Sequence, residues 1–267
     1  MTLTQAQFLK TSSAHLFFET AGQGFPLVFV HGLGIDCRCW EPQWAYFAAR
    51  YQVIRYDVRG FGQSTYASEP VPHAPDEDLQ AILDFLNVEK AHLVGLSMGG
   101  NVVLGFAARH PQRVAKLVAV DADVQGFADY SEDFRQMFRE VYQTGREKGP
   151  LKAKLAWAKN PLLQPVVVNI HTQSLETMLR DYSGIHLTDP RLLPAYQPPT
   201  RQLLPHIEAP TLIITGEEDI EDFQRMAAFL MEEILSSHRI RIENAGHMPN
   251  LENPEVFNRV LEEFLDI

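Results

Sequence analysis

The sequence predicts an α/β fold in which a mostly parallel sheet is flanked by helices. Short apolar runs alternate with stretches of helical spacing over residues 1–121 and again over residues 206–267. Between these two parts, residues 122–205 contain several helix-like stretches and no convincing strand. The chain has 267 residues, 45% of them hydrophobic, which is enough for one large core with an inserted subdomain.

The strands are predicted from short runs of apolar or alternating residues. Residues 7–10 and 15–20 are typical of two short strands joined by a turn. The continuous apolar run at residues 26–30 indicates a strand that is buried on both faces. The other predicted strands cover residues 53–56, 91–95, 114–120, 211–215 and 239–242.

The helices are predicted from apolar residues that lie three and four positions apart. Within residues 76–86, the side chains of Leu79, Ile82, Leu83 and Leu86 follow this spacing. Because strands and helices alternate, the sheet is expected to be mostly parallel, with helices on both faces. Further helices are predicted at residues 40–50, 101–109, 221–235 and 254–264.

The domain organisation follows from the interruption of this alternation. Residues 1–121 and 206–267 are expected to form one core domain, and residues 122–205 a helical insertion that acts as a cap. The sequence contains no internal repeat that would indicate a different architecture.

Composition limits the partners that we expect. The formal net charge of −11 disfavours nucleic acid and anionic membrane surfaces, so a small molecule is the expected partner. Cys37 and Cys39 are too close for an easy disulfide and lack the further residues of a zinc site. The chain shows no signal peptide and no apolar run long enough for a membrane span, so we expect a cytoplasmic protein, either a monomer or a homodimer.

The segment Gly-Leu-Ser-Met-Gly-Gly at residues 95–100 joins a predicted strand to a predicted helix. A G-x-S-x-G motif in this context holds its serine on a strained turn, with the hydroxyl exposed at the start of the helix. Ser97 is therefore the candidate nucleophile. The backbone N–H of Met98, which follows it, is a candidate donor to an oxyanion.

A second oxyanion donor is predicted in the loop His31-Gly32-Leu33-Gly34, which follows the buried strand at residues 26–30. This loop comes after the carboxyl end of a parallel strand, where it can place the N–H of Leu33 opposite the serine. The side chain of His31 is expected to hydrogen-bond a loop and to take no part in proton transfer.

A serine hydroxyl needs a base to become a nucleophile near neutral pH, and ten histidines compete for this role. His247 has the most suitable position, because it follows Gly246 in a loop between a strand and the last predicted helix. Its side chain is expected to point back over the edge of the sheet.

The base in turn needs a carboxylate that orients it. Asp219 lies just beyond the predicted strand at residues 211–215, which places it on the same edge of the sheet as the serine and the histidine. Three other carboxylates remain alternatives. They are Asp222, Asp121 and Asp123.

These segments together resemble the α/β-hydrolase superfamily over essentially the whole chain. The resemblance implies an eight-stranded, mostly parallel sheet with a helical cap inserted after the sixth strand. It also implies a triad of Ser97, Asp219 and His247, and neither a metal nor an organic cofactor. The segments that carry it are residues 31–34, 57–64, 95–100, 216–219 and 246–247, with Asn-Pro-Glu at 253–255.

Among the subgroups, the chain is most similar to esterases, enol-lactonases and C–C bond hydrolases. Haloalkane dehalogenases and epoxide hydrolases carry an aspartate where this chain has Ser97, so the resemblance excludes both. Cofactor-free haloperoxidases have a similar triad, and peroxidation is a possible side activity. The segment at residues 57–64 matches a loop of the family that is mainly architectural.

The predicted function is acyl transfer by a serine hydrolase on a small, mostly apolar carboxylic ester. A lactonase, a C–C bond hydrolase and a slow-turnover ligand sensor on the same fold are the alternatives. Arg135 and Arg139 are candidates to bind a substrate carboxylate, although a solvent-facing position is the simpler interpretation. The candidate substrate-contacting residues in the cap are Trp157, Phe127, Phe138 and Tyr182.

Overall fold

The computed structural model describes residues 4–266, and its centre is one sheet of nine strands. The strands are β1 (Gln5–Lys10), β2 (Ala14–Ala21), β3 (Phe25–Val30), β4 (Tyr51–Tyr56), β5 (Thr65–Tyr66), β6 (Ala91–Leu96), β7 (Val114–Val120), β8 (Thr211–Gly216) and β9 (Ser237–Ile242). Eight of them are hydrogen-bonded in the order β1-β2-β4-β3-β6-β7-β8-β9, and β5 pairs with β2.

Ten α-helices accompany the sheet in the part of the chain from residue 4 to residue 266. They are α1 (Glu41–Phe47), α2 (Pro75–Phe85), α3 (Met98–Arg109), α4 (Glu132–Lys148), α5 (Pro150–Trp157), α6 (Ser174–Asp181), α7 (Thr200–Leu203), α8 (Glu221–Glu233), α9 (Pro249–Glu252) and α10 (Pro254–Asp266).

The sheet is mostly parallel, which confirms the predicted fold class. From β4 across to β9, every pair of neighbouring strands is parallel, whereas β1, β2 and β5 form antiparallel pairs at one edge. Every residue of β6 is buried. Because successive side chains of a strand point to opposite faces, this burial means that both faces of the sheet are covered at its centre.

The boundaries differ from the predicted ones mainly where a helix begins or ends with a tight turn. The helix expected at residues 40–50 is α1, which is preceded by a 3-10 turn at Cys37–Trp40 and ends early because the chain turns directly into β4. Helix α3 begins at Met98, three residues before the expected start. The glycines at its first turn hid this start, since glycine is a poor helix former.

Two short elements were not predicted. Strand β5 has two residues and α9 has four, and both are too short to show a period of hydrophobic residues. Between β7 and β8, the described chain consists of α4 to α7, several 3-10 turns and loops, with no strand. None of the helices formed by residues 4–266 is both long and apolar enough to cross a membrane.

Candidate active site

Ser97 occupies the sharp turn between β6 and α3. Its φ of 53° and ψ of −115° lie outside the conformations that a serine ordinarily adopts, so the surrounding structure must hold them. The N–H of Ser97 donates to the carbonyl of Val120 at 2.9 Å. Its own carbonyl accepts from the N–H groups of Asp123, at 3.0 Å, and Asn101, at 3.2 Å. The end of β7 and the first turn of α3 thus fix the strained serine.

The glycines around the serine leave no room for a side chain. A Cβ at Gly95 would come within 2.2 Å of the carbonyl oxygen of Gly99. A Cβ at Gly99 would come within 2.3 Å of the carbonyl oxygen of Val30, and one at Gly100 within 2.4 Å of the Cβ of Ala122. The turn therefore packs directly on the ends of β3 and β7, as the motif predicts for a close approach of backbones.

The two predicted oxyanion donors lie beside the serine. Met98 is the first residue of α3, where the N–H groups have no carbonyl partner within the helix. Leu33 follows Gly32, at which a Cβ would lie 3.3 Å from the Cβ of Ser97. Leu33, Met98 and Ser97 all line the same cavity. Two backbone segments thus border the position in front of the hydroxyl.

His247 and Asp219 form a buried hydrogen bond on the same edge of the sheet. The Nδ1 atom of His247 lies 2.8 Å from Oδ2 of Asp219, and both residues are buried. Asp219 lies in the turn after β8, and His247 in the loop between β9 and α9. The other carboxylate oxygen of Asp219 accepts the N–H of Ile220 at 2.7 Å. This arrangement leaves Nε2 of His247 for the cavity that it shares with Ser97.

Glu252 holds the histidine loop in place, and sequence reasoning did not find it. Its Oε1 accepts the N–H groups of Gly246 and Met248, each at 3.1 Å, so it clamps the residues on both sides of the histidine. Its Oε2 accepts the N–H groups of Val166, at 2.7 Å, and Val167, at 3.1 Å. Glu252 is buried, which no pattern in the sequence indicates for a glutamate on a short helix.

Asp121, one of the alternative acids, lies next to Asp219. One oxygen of each carboxyl group and one ring nitrogen of His247 all lie within 4.8 Å of one another. Burial, followed by the charge of Asp219, raises the pKa of Asp121 well above its usual range. These two influences favour the protonated form of Asp121, whose Oδ2 accepts the N–H of Gly216 at 3.1 Å.

The other two alternative acids have different partners. Asp222 accepts the N–H and the hydroxyl of Ser131, each at 2.7 Å, and so ties the start of α4 to α8. Asp123 lines the cavity, where it accepts the hydroxyl of Tyr130 at 2.9 Å. Burial raises the pKa of Asp123. Of the four carboxylates that were considered, Asp219 is the one bonded to His247.

A cavity of about 570 Å³ opens in front of Ser97 and His247. This volume suits a small organic molecule. Its walls come from the loop after β3, from the start of α3 and from the insertion between β7 and β8. Most of the side chains that line it are apolar, and those that the insertion contributes include Tyr130, Phe134, Phe138, Tyr142, Trp157, Leu162, Leu163 and Leu193.

Of the four aromatic residues predicted to contact the substrate, two line the cavity and two do not. Trp157 and Phe138 line the cavity, with ring centroids 5.5 Å apart. Phe127 and Tyr182 do not line it. Phe127 packs on Tyr130 and Phe229, and Tyr182 stacks on Phe61 and bonds His186 at 3.2 Å. Both rings pack the chain between β7 and β8 against residues outside it, Phe229 and Phe61. The sequence does not distinguish this role from lining a cavity.

The indole of Trp157 also packs on the loop that carries Leu33. Gly34 has a φ of 82°, and a Cβ there would come within 2.4 Å of Nε1 of Trp157. This Nε1 is buried and has no hydrogen-bond partner within the described residues. The tryptophan thus brings an unpaired donor to the wall of the cavity.

Three arginines line the cavity and remain largely exposed to solvent. The side chains of Arg135, Arg139 and Arg191 are 46%, 57% and 80% exposed, so they lie at its open side. Arg135 and Arg139 face Glu132, and Arg191 binds Asp189 at 2.7 Å. Arg135 and Arg139 therefore face solvent at the edge of the cavity, and their binding of a substrate carboxylate stays a prediction.

His31 has a structural role, as expected. Its Nδ1 bonds the carbonyl of Gly32 at 2.8 Å, and its Nε2 accepts the N–H of Val58 at 2.9 Å. These contacts define a neutral ring, and burial lowers the pKa of His31. The loop at residues 57–64 is likewise architectural: Asp57 accepts the N–H groups of Cys37, at 2.9 Å, and Gln63, at 2.7 Å.

Two clusters in residues 4–266 have the residue types of a metal site. One consists of Asp121, Asp219 and His247, in which Asp219 is hydrogen-bonded to His247. The other consists of Asp36, Cys37 and Asp57. Burial raises the pKa of Cys37 well above its usual range, which favours the neutral thiol. Cys37 is buried and does not line the cavity of Ser97.

Comparisons with known proteins agree with this architecture. Residues 27–260 match the model of the Alpha/beta hydrolase family. The 3-oxoadipate enol-lactonase 2 of Acinetobacter baylyi is 29% identical over 95% of this chain and 94% of its own length. The (E)-2-((N-methylformamido)methylene)succinate hydrolase of the same organism is 26% identical over 97% of each chain. A malate-bound thermophilic esterase of Thermogutta terrifontis superposes with a TM-score of 0.77, at 26% identity over 98% of each chain.

The fold and the match over most of the chain define the class of protein. The chain belongs to the alpha/beta hydrolase family, and it is an enzyme of that family.

Proposed function

We propose that this protein hydrolyses small, mostly apolar carboxylic esters by acyl transfer through Ser97. One observation carries the proposal. Ser97 and His247 line the same largely apolar cavity, and His247 is hydrogen-bonded on its far side to buried Asp219 at 2.8 Å. A nucleophile, a base and a group that orients the base are the parts that acyl transfer by a serine requires.

In the first half of the reaction, Oγ of Ser97 attacks the ester carbonyl while Nε2 of His247 takes its proton. Asp219 accepts the N–H of Nδ1, which fixes the tautomer in which Nε2 is free to act as a base. It also stabilises the imidazolium that forms. His247 then gives the proton to the departing alkoxide, and the acyl group remains on Ser97.

The negative charge of the tetrahedral intermediate needs donors that are already in place. The backbone N–H groups of Leu33 and Met98 border the position in front of Ser97 and supply them. Each donor of this kind contributes about 3 kcal/mol to the lowering of the barrier. In the second half of the reaction, His247 activates a water molecule that attacks the acyl group and restores Ser97.

The insertion acts as the cap in this proposal. Residues 1–121 and 206–267 form the core domain that carries the triad, and residues 122–205 form the wall that selects the substrate. Trp157 and Phe138 are its proposed substrate-contacting residues, because both rings line the cavity.

The substitution Ser97→Ala tests the nucleophile. We expect the turnover of p-nitrophenyl butyrate to fall by roughly three to six orders of magnitude, because the remaining site only binds and polarises the ester. Ser236→Ala, at an exposed serine, is the matched control and should keep the wild-type rate. A fluorophosphonate probe should label the wild type at Ser97, as read by peptide mass spectrometry. A Ser97→Ala protein that keeps most of the activity would exclude this mechanism.

Hydrolysis of a lactone that bears a carboxylate is the second candidate. Arg135, Arg139 and Arg191 at the open side of the cavity favour it, since guanidinium groups bind carboxylates well. Neutral esters, anionic lactones and ring-cleavage dienones, assayed side by side, separate an esterase, a lactonase and a C–C bond hydrolase. A chain that labels with the fluorophosphonate but turns over none of them would instead fit a slow ligand sensor.

A further inference from the structure

An exposed apolar groove lies on the insertion, apart from the cavity of Ser97. Leu151, Leu155 and Val168 line it together, and these residues are 66%, 53% and 74% exposed. The groove has a volume of about 600 Å³. Exposed apolar residues that are grouped in this way, and are not scattered singly, mark surfaces that bind something.

Within the segment at residues 165–172, Pro165, Val168 and Thr172 line the groove. Val166 and Ile170 are 45% and 76% exposed, on either side of Val168. The segment is nevertheless fixed to the core domain: the side-chain amide of Asn169 donates to the carbonyl of Leu251 at 2.9 Å, and Glu252 accepts the N–H groups of residues 166 and 167. Alternate residues of an anchored segment therefore hold branched apolar side chains in solvent.

Cations surround these apolar residues. Leu155 lies between two depressions, and five cations but only two anions, Glu140 and Glu176, line them. The chain as a whole has a net charge of −11, so this region carries the opposite sign. We call it the basic apolar patch. It consists of Leu151, Leu155 and Val168 with Lys148, Lys152, Lys154, Lys159 and Arg180.

The basic apolar patch adjoins the wall of the catalytic cavity. Leu163 lines both the groove and the cavity. Helix α5 likewise presents Leu151 and Leu155 to the groove, while Trp157 at its end lines the cavity. A surface that covers the patch would therefore lie next to the wall of the site that contains Ser97.

We propose that the basic apolar patch docks this protein on an anionic lipid surface. Aliphatic side chains that enter the boundary between headgroups and acyl chains, together with lysines that meet anionic headgroups, are the two elements of interfacial binding. The expectation that membranes are poor partners rested on the net charge of the whole chain. The local clustering of the cations around Leu155 reverses the sign of the charge where contact occurs.

The composition of the patch disfavours other occupants. In a two-fold symmetric dimer the same surface meets itself, so five cations would face five cations. Protein–protein interfaces are rich in aromatic residues and poor in lysine, whereas this patch has four lysines and no aromatic residue. The proposal involves no residue of the triad, so it stands or falls separately from the proposed function.

Flotation with lipid vesicles tests the proposal on the full chain without a substrate. Vesicles of equal parts phosphatidylglycerol and phosphatidylcholine should carry the protein, and vesicles of phosphatidylcholine alone should carry roughly tenfold less. The double variant Leu151→Glu/Val168→Glu should lose binding to the anionic vesicles roughly tenfold or more, and so should Lys148→Glu/Lys152→Glu.

Matched controls keep this experiment specific. Leu235→Glu changes a fully exposed leucine elsewhere, and Lys10→Glu/Lys90→Glu reverses two exposed lysines elsewhere. Both controls should bind as the wild type does, and all variants should keep its melting temperature. The proposal is overturned if the wild type stays off both kinds of vesicle, or if the control variants lose as much binding as the patch variants. A concentration-dependent dimer that the patch variants dissociate, without vesicle binding by the wild type, would overturn it in favour of self-association.

Discussion

Asp121 and Asp219 follow neighbouring strands, β7 and β8, and their carboxyl groups lie side by side behind His247. Two adjacent buried carboxylates repel each other, so one of them keeps its proton. Asp121 has no solvent exposure and its pKa is raised, whereas Asp219 bonds the ring of His247. Burial and the neighbouring carboxylate thus favour the protonated form of Asp121, whereas Asp219 is the carboxyl group that contacts the histidine.

Exchanging each carboxyl group for an amide distinguishes the two roles. Asp219→Asn removes the negative charge beside His247 and favours the wrong tautomer, so kcat/KM for p-nitrophenyl butyrate should fall by roughly 10⁴-fold. Asp121→Asn replaces a carboxyl group whose protonated form is favoured by an uncharged amide of similar size, so it should change kcat/KM by less than about tenfold. Equal losses in the two variants would contradict the assignment of the charge.

For single residues, the order of the motifs along the chain was enough to predict the three residues of the candidate site. Ser97, His247 and Asp219 each follow a strand of a parallel sheet. The carboxyl ends of parallel strands lie at one edge of the sheet, so these residues are expected to meet there. By the same argument, Asp121 is expected at this edge as well, so it was not excluded as the carboxylate that pairs with His247. The choice depends on which oxygen lies 2.8 Å from the ring of His247, and on burial, neither of which the sequence contains.

At the scale of elements, the position of Ser97 depends on how closely α3 approaches β3. Gly99 in the first turn of α3 lies against the carbonyls at the end of β3, where a Cβ would be 2.3 Å from one oxygen and 2.6 Å from the next. These neighbours are backbone atoms and cannot rotate away. The start of α3 and the loop after β3 can therefore approach each other closely because residue 99 has no side chain.

We expect Gly99→Ala to destabilise the protein by about 3 kcal/mol, because α3 must shift away from β3 to relieve the overlap. Gly149→Ala is the control: no atom lies within 4 Å of its added Cβ, and only its backbone conformation, with φ of 79° and ψ of 174°, opposes the substitution, at a cost of about 2 kcal/mol. Urea unfolding measures both. If the two variants lose the same stability, steric overlap at the turn does not determine the position of α3.

The elements of the core domain were predictable because their hydrophobic periods are strong. Each predicted strand corresponds to an observed one, and β7 matches from residue 114 to residue 120. The insertion was not predictable in the same way. Helical spacing shows which face of a helix is apolar but not which neighbour that face meets, so Phe127 and Tyr182 were indistinguishable from Phe138 and Trp157, although only the latter two line the cavity.

At the scale of the whole molecule, buried histidines link stability to pH. Burial lowers the pKa of His73 and His92 to about 4 and that of His186 to about 3. A second, smaller cause is a nearby cation, Arg59 for His73 and Lys116 for His92. These rings are neutral in the folded protein at pH 6, whereas in the unfolded chain they take up protons below about pH 6.5. Their contribution to stability is present above pH 6.5 and is lost as the pH falls toward 4.

His92 isolates this effect, because its Nδ1 has no hydrogen-bond partner within the described residues and the ring is buried at the start of β6. Between pH 6 and pH 5, the free energy of unfolding of the wild type should fall by about 1 kcal/mol more than that of His92→Gln, since the variant has one fewer group that binds a proton on unfolding. Urea unfolding at each pH measures the difference. Between pH 7.5 and pH 8.5 the two proteins should show the same slope, because the histidine is neutral in both states there. Identical slopes between pH 6 and pH 5 would mean that His92 is protonated in the folded protein and that its burial does not exclude the charge.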